Sequence, residues 1–278
     1  MVEPLKSHEF DNIRDMLESV CGIVLKNDQD YLVETRLSEL ANEIGVTDFG
    51  ALYRKVTADE SLLARVVDAM TTNETLWFRD DSCWKTLGEK IIPDLINKIK
   101  KDQATVRIWS AASSTGQEPY SLSILIDELT QQFGNQGLSS KFQIIATDIS
   151  PTVLEMAKKA RYDQFTIGRG LSKVRLEKYF TQGKNHWELK PEIQSRVEFR
   201  KFNLLESFFL LGKFDLVLCR NVAIYFSSDF KQDLFQKISS ALNSDGLMIL
   251  GATESLFGLK TNFESLSFET GMYHKVKN

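Results

Sequence analysis

The stretch TVRIWSAASSTGQEPYSLSILIDELTQQF, residues 105–133, decides the fold class of this 278-residue chain. It begins as a strand rich in β-branched residues, passes through a small polar loop, and continues with helical periodicity. A strand–loop–helix junction of this kind is where nucleotide-like ligands bind in α/β proteins. The loop itself, SAASSTGQEPYS at 110–121, contains one glycine and no lysine. The first question raised by the sequence is therefore what such a loop holds.

The segments that follow this junction repeat its alternation. Short apolar runs are separated by helical stretches, and they read TVRIWSA, FQIIATD, VEFRKFN, FDLVLCRN and GLMILGA. Such alternation predicts an α/β fold with a mostly parallel sheet and helices on both faces. The tail, FESLSFETGMYHKVK, has a Glu-Thr-Gly turn between two extended runs. It predicts an antiparallel pair of strands at the edge of the sheet.

The first 70 residues show helical rather than strand periodicity, which predicts a small all-α domain in front of the sheet. We expect its apolar stripes to form a core and not a binding groove. The residues on these stripes are Phe10, Ile13, Leu17, Val20, Val24, Leu32, Leu37, Leu40 and Ile44.

Charge is spread unevenly along the chain. The net charge is −4, yet residues 1–70 contain 7 Lys and Arg against 14 Asp and Glu, a balance of −7. The remainder is therefore near +3. An acidic leading domain argues against nucleic acid as its partner.

Cysteine usage and hydropathy bear on the compartment. Three widely spaced cysteines, Cys21, Cys83 and Cys219, argue against a disulfide framework and against a zinc site. The first residues, MVEPLKSHEFDN, have no apolar signal core, and no apolar run is long enough to span a membrane. We expect a cytoplasmic, monomeric protein without a metal site and without membrane insertion.

Polar residues stand where the predicted parallel strands end. Asp148 follows the second strand, Asn203 the third, and Arg220 with Asn221 the fourth. A carboxylate at the second strand suits a ribose diol, and an amide suits an adenine edge. Each residue also has a structural alternative, because Asp148 can cap the next helix and Asn203 can close a turn. Taken together, the strand ends favour an adenosine ligand.

The first loop narrows the choice of adenosine ligand. It matches neither G-x-x-x-x-G-K-[ST] nor G-x-G-x-x-G, so it lacks the bed of backbone N–H groups that phosphates require. S-adenosylmethionine carries adenosine without phosphate, and Glu118 is placed to pair with its amine. The structural alternative for Glu118 is a favourable interaction with the helix dipole. We therefore predict an S-adenosylmethionine site.

Motifs along nearly the whole chain then resemble one family. They are TTNETLWFRD, RIWSAASSTGQEPYSLSI, ATDIS, RYDQFTIGRGLS, FNLLE, FDLVLCRNVAIYF and GATESLFG, in this order. The sequence is similar to the chemotaxis receptor (CheR-type) glutamate O-methyltransferases. The resemblance implies a class I methyltransferase fold, Rossmann-like, with a seven-stranded sheet that has an antiparallel edge strand. It implies methyl esterification of glutamates in the cytoplasmic helical region of chemoreceptors, with S-adenosylhomocysteine as product.

The resemblance also implies domain limits and site residues. The domains would be 1–75 and 76–278, with a small β insert near 180–197. Arg79 and Tyr225 would be catalytic. The cofactor contacts implied by the resemblance are Asn73, Thr75, Arg79, Ala112, Glu118, Asp148, Ile149, Asn203, Leu204, Arg220 and Asn221.

Some features depart from the family or leave alternatives open. Ser113 and Gln117 stand where the family commonly has Cys and Glu, and the leading domain is acidic where the family usually offers basic residues. Trp77 and Phe78 either exclude solvent from the site or pack between the domains. A methyltransferase acting on nitrogen is an alternative, but CRNVAIYF, residues 219–226, lacks the proline pair of [DN]-P-P-[YF]. Arg79 and Arg220 also place cationic groups near the predicted site, which suits an anionic nucleophile and would repel a protonated amine. A non-catalytic S-adenosylmethionine sensor is the third possibility.

Overall fold

The computed structural model describes residues 2–134, 136–269 and 271–277. The leading part is a helical bundle, as predicted. Its helices are α1 (Ser7–Cys21), α2 (Asp30–Glu43), α3 (Phe49–Val56) and α4 (Glu60–Met70). Asp48 and Asp59 cap α3 and α4 by accepting hydrogen bonds from backbone N–H groups of the first turns.

The bundle has its own apolar core, which contains most of the predicted stripe residues. Phe10, Ile13 and Leu17 are buried there. The chain leaves α1 through Gly22, which has φ +77° and sits so close to Phe230 that an added Cβ would lie 2.5 Å from its ring. Only glycine fits this position, and its small size lets the chain after α1 pack against Phe230 of the second part of the molecule.

The second part begins with α5 (Asp81–Thr86), a π-helical turn (Leu87–Ile91) and α6 (Ile92–Asp102). The sheet and its connections follow. They are β1 (Val106–Ala111), α7 (Gln117–Gln132), a 3-10 turn (Gln136–Lys141), β2 (Phe142–Asp148), α8 (Pro151–Lys159), β3 (Arg161–Tyr162), α9 (Gln164–Gly168), α10 (Lys173–Tyr179), β4 (Phe180–Gln182), β5 (Trp187–Leu189), α11 (Pro191–Gln194), β6 (Val197–Lys201), a 3-10 turn (Phe208–Leu211), β7 (Phe214–Cys219), a 3-10 turn (Ala223–Tyr225), α12 (Ser228–Ala241), β8 (Leu242–Leu250), β9 (Phe263–Phe268) and β10 (Gly271–Val276).

The main sheet has seven strands in the order β6-β2-β1-β7-β8-β10-β9. The pairs from β6 to β8 are parallel, and β10 is antiparallel to both of its neighbours. This is the class I methyltransferase fold that the sequence predicted. The final hairpin also matches the prediction, although Thr270 of its turn lies outside the described residues.

Alternate side chains of the strands face two separate cores, because successive residues of a strand point to opposite faces. Ile108 of β1 packs into the core that holds α6 and α7, and Trp109 packs into the core that holds α12. Six residues of β7, Phe214–Cys219, are buried without exception. The sheet is thus covered by helices on both faces.

A second, three-stranded sheet has the order β3-β5-β4 and antiparallel pairing. Its strands lie between residues 161 and 189, whereas the sequence predicted an insert near 180–197. Residues from Val197 onward belong to the main sheet. The difference arises because β3 has only two residues and shows no strand pattern. We keep 1–75 and 76–278 as proposed domain limits.

Among the described residues, no helix combines the length and the apolar character needed to cross a membrane.

Candidate cofactor and active site

A cavity of about 380 Å³ lies between the helical bundle and the carboxyl ends of the parallel strands. Ligands in open α/β sheets bind at this edge. The cavity brings together every site residue that the sequence predicted. These are Asn73, Thr75, Arg79, Ala112, Glu118, Asp148, Ile149, Asn203, Leu204, Arg220, Asn221 and Tyr225.

The loop after β1 forms one wall of the cavity. Ala112 and Ser114 have φ values of +58° and +49°, so the backbone turns tightly after the strand. Ser114 donates its backbone N–H to Asp148 Oδ2 at 2.8 Å and its hydroxyl to the carbonyl of Asn73 at 2.7 Å. The loop therefore ties the linker at residue 73 to the end of β2.

Asp148 is buried at the end of β2. Its Oδ1 accepts a hydrogen bond from the backbone N–H of Ser150 at 3.0 Å, in addition to the bond from Ser114. Burial raises the pKa of the Asp148 carboxyl, and these backbone donors oppose the rise. Each carboxylate oxygen has a further lone pair, so hydrogen bonds to a ribose diol remain available.

Glu118 and Arg220 form a buried ion pair that the sequence did not predict. Arg220 Nη1 donates to Glu118 Oε2 at 2.8 Å, and Ser110 donates its hydroxyl to Glu118 Oε1 at 2.8 Å. Arg220 Nη2 also contacts Asp80 Oδ2 at 3.0 Å. Burial raises the pKa of the Glu118 carboxyl, and Arg220 opposes that rise. A ligand amine would therefore share Glu118 with Arg220.

Arg220 was expected to offer positive charge to the substrate, and that expectation is wrong. Its side chain is 1% exposed, and two carboxylates, Glu118 and Asp80, compensate its charge. A compensated buried cation neither attracts an anion nor repels an amine strongly.

Asn203 connects the two parts of the protein. Its Nδ2 donates to the carbonyl of Val20 at 2.7 Å, and its Oδ1 accepts from the backbone N–H of Leu205 at 3.0 Å. For the predicted contact with adenine, Asn203 therefore has one N–H of Nδ2 and one lone pair of Oδ1 left. A second bridge runs from the backbone N–H of Val24 to the carbonyl of Tyr225 at 2.9 Å.

Arg79 and Tyr225, the predicted catalytic pair, both line the cavity and are half-buried. Arg79 Nη1 donates to the carbonyl of Glu74 at 3.3 Å, and Tyr225 ends the 3-10 turn after β7. Trp77 and Phe78 do not line the cavity. They are buried in the core of the second part, where the Trp77 ring packs edge-on at 4.9 Å from Tyr162. These aromatics therefore pack within the second part of the protein, and neither the predicted solvent exclusion at the site nor packing between the domains describes them.

The sequence missed the wall that the bundle contributes. This wall consists of Cys21, Ile23, Val24, Leu25, Lys26, Gln29, Leu32 and Arg36. Val24 and Leu32 were expected in the core, and the structure places them at the cavity instead. Helical periodicity identifies an apolar stripe but not the surface that covers it. The apolar run GIVL after the end of α1 was the one available signal.

Two family profiles match this chain. Residues 8–71 match "CheR methyltransferase, all-alpha domain", and residues 73–272 match "CheR methyltransferase, SAM binding domain". The chain belongs to the CheR methyltransferase family. It is therefore an S-adenosylmethionine-dependent methyltransferase, and the resemblance found from sequence motifs is confirmed.

Relatives of this CheR-family chain are similar over almost their full length. "Chemotaxis protein methyltransferase Cher2" of Pseudomonas putida is 45% identical, with 97% of this chain and 98% of that protein covered. "Chemotaxis protein methyltransferase 1" of Pseudomonas aeruginosa is 45% identical over the same shares. "Chemotaxis protein methyltransferase" of Vibrio anguillarum is 42% identical, with 98% of both chains covered.

The polar side chains around the cavity fit S-adenosylmethionine. Within the described part of the chain, Ser113 Oγ and Arg220 Nε are buried polar atoms of the cavity wall that lack a hydrogen-bond partner. Buried polar atoms in native proteins are rarely left unpaired, so these two atoms mark a polar part of the cavity wall. Asp148 offers acceptors for hydroxyl groups in the same cavity. Glu118 as an acceptor for an amine and Asp148 as an acceptor for hydroxyl groups line the same cavity, which suits a ligand with an amino-acid and a ribose moiety.

Proposed function

We propose that this protein transfers the methyl group of S-adenosylmethionine to glutamate side-chain carboxylates of chemoreceptors and forms glutamyl methyl esters. The names of its relatives support a role in chemotaxis. The proposed receptor surface is the cytoplasmic helical region, and the proposed place of action is the cytoplasm.

The observation that carries the carboxylate target is the charge of the cavity wall. Lys26, Arg36 and Arg79 line the cavity, and none of them forms an ion pair with a carboxylate in the ranges that the structure describes. Lys26 and Arg36 come from the bundle, and Arg79 comes from the linker. Of the carboxylates that line the cavity, Glu74 pairs with Arg169 and Glu118 with Arg220, which leaves Asp148 against the three cations. An excess of unpaired cations at a cavity favours an anionic group over a protonated amine. Arg220 adds little to this charge, because Glu118 and Asp80 compensate it.

The chemistry needs orientation and desolvation more than acid–base catalysis. A glutamate carboxylate is ionised at neutral pH, since its ordinary pKa is about 4.3, so no general base is required. When bound, S-adenosylmethionine supplies an electrophilic methyl group and leaves as S-adenosylhomocysteine. Arg79 is suited to hold the attacking carboxylate, because its planar fork matches two oxygens. Tyr225 is suited to donate one further hydrogen bond.

The bundle has a part in this mechanism as a wall of the site. Its residues close the side of the cavity opposite the sheet, and they are fastened there by the bonds from Asn203 to Val20 and from Val24 to Tyr225. Excluding water strengthens the interaction between Arg79 and a carboxylate.

Substituting Arg79 with lysine is expected to lower turnover on the order of 100-fold and to change cofactor affinity much less. Lysine keeps the charge but loses the fork that sets the direction of attack. Steady-state kinetics and calorimetry with S-adenosylmethionine measure the two quantities. Arg65→Lys, on the exposed surface of α4, is the matched control. Equal losses of turnover and affinity would make Arg79 a binding residue only.

The proposed function is tested by the bond that is formed. Chemoreceptor-containing membranes incubated with methyl-labelled S-adenosylmethionine should acquire label on glutamate residues, and mild alkali should release the label as methanol, because esters are hydrolysed and N-methyl groups are not. Heat-inactivated enzyme is the control. Label that survives alkali and maps to lysine, arginine or a nucleobase would refute the ester and support a nitrogen acceptor. Binding of S-adenosylmethionine without methyl transfer to any acceptor would favour the third possibility, a non-catalytic S-adenosylmethionine sensor.

A further inference from the structure

Glu254 lies in the loop after β8, beside the loop that follows β7. Its Oε2 accepts hydrogen bonds from the backbone N–H groups of Asn221 at 2.7 Å and Gly251 at 2.8 Å. Its Oε1 accepts from the backbone N–H of Val222 at 3.1 Å. Hydrogen bonds of backbone N–H groups to an ionised carboxylate are among the stronger ones in proteins. One side chain thus fastens two loops together.

The backbone that Glu254 holds has an unusual conformation. Asn221 has φ +58°, in the left-handed region that residues other than glycine seldom occupy. The two loops also approach closely, because a Cβ added to Gly251 would lie 2.7 Å from Asn221 Nδ2 and 2.8 Å from Glu254 Oε2. The conformation at Asn221 therefore depends on neighbouring groups to maintain it.

The held segment stands between two parts of the candidate site. Arg220, on one side, forms the buried pair with Glu118, and Tyr225, on the other side, faces the cavity. We propose that Glu254 is a positioning residue for methyl transfer, which fixes the backbone of Asn221 and Val222 and so sets the direction of Asn221 and Tyr225. The catalytic part of this inference rests on the proposed function.

A carboxylate is required for this role. Glutamine has almost the same size, but only one of its two terminal atoms is an acceptor, and the other is a donor. In Glu254→Gln, either the Asn221 and Gly251 donors or the Val222 donor would face an NH₂ group. Arg220 keeps its own anchors, Glu118 and Asp80. The part of the cavity formed by Arg220 and Glu118 should therefore persist while the loop loosens.

Two measurements on Glu254→Gln test the inference, with Glu264→Gln as control. Glu264 is an exposed glutamate of β9, so the control makes the same charge change away from the cavity. We expect kcat to fall on the order of 10- to 100-fold. The Kd for S-adenosylmethionine should rise less than kcat falls. Amide hydrogen exchange in residues 219–226 should be faster than in the unaltered protein. The control should change none of these.

Unchanged exchange in residues 219–226 would refute the fastening itself. Faster exchange with an unchanged kcat, or with kcat lowered only in proportion to the folded fraction, would refute a positioning role. Failure of the unaltered protein to methylate receptor glutamates would refute the proposed function and the catalytic part of the inference together, and the exchange result would still decide whether Glu254 holds the loop.

Discussion

Arg220→Met is expected to lower the free energy of unfolding by about 3–5 kcal/mol, the usual cost of removing one partner of a buried ion pair. Methionine fills a similar volume, so the main effect is the loss of charge. Glu118, whose side chain is 12% exposed, would remain without a cation, and Asp80, at 25%, would lose its partner. Chemical denaturation followed by tryptophan fluorescence measures the change.

Controls separate the charge effect from packing. Arg161→Met removes an exposed pair with Glu188, for which we expect a loss below about 1 kcal/mol. Adding Glu118→Gln to Arg220→Met should restore part of the lost stability, because no unpaired charge then remains at position 118. If the double variant is as unstable as the sum of the two single variants, the pair is not coupled and this account of Arg220 is wrong.

Asp148→Asn is expected to raise the Kd for S-adenosylmethionine roughly 5- to 150-fold, which corresponds to about 1–3 kcal/mol for buried polar groups left unmatched. Asparagine conserves the shape, but its NH₂ group replaces an oxygen that accepts from Ser114 or Ser150 and would accept from a ribose. Titration calorimetry measures the Kd.

The matched control for Asp148 is Glu155→Gln on α8, an exposed carboxylate close in sequence. It should leave the Kd unchanged. Circular dichroism establishes that the Asp148 variant is folded. A folded variant that binds with the affinity of the unaltered protein would remove Asp148 from the site.

Sequence reasoning located the sheet side of the site because that side depends on local patterns. Each polar residue directly follows an apolar run, and the carboxyl ends of parallel strands necessarily meet at one edge. For this reason Asp148, Asn203 and Arg220 could be placed in one cavity before any contact was known. The family motifs added Arg79 and Tyr225, which no strand pattern would have identified.

The partners of these residues could not be predicted in the same way, because each is distant in the sequence. Arg220 lies 102 residues from Glu118, and Asn203 lies 183 residues from Val20. Whether a charge attracts substrate or neutralises a neighbour depends on such contacts. The prediction that Arg220 attracts an anion was wrong for this reason.

The sequence by itself determined the α/β class, the helical leading domain, the family and the strand ends that face the cavity, because periodicity and strand-end residues are local properties of the chain. Only the tertiary structure decided that Val24, Leu32 and Arg36 of the bundle form the opposite wall. It also decided that Glu254 holds the loop after β7. These facts depend on contacts between segments that are distant in the sequence, and such contacts are set by packing across the whole molecule.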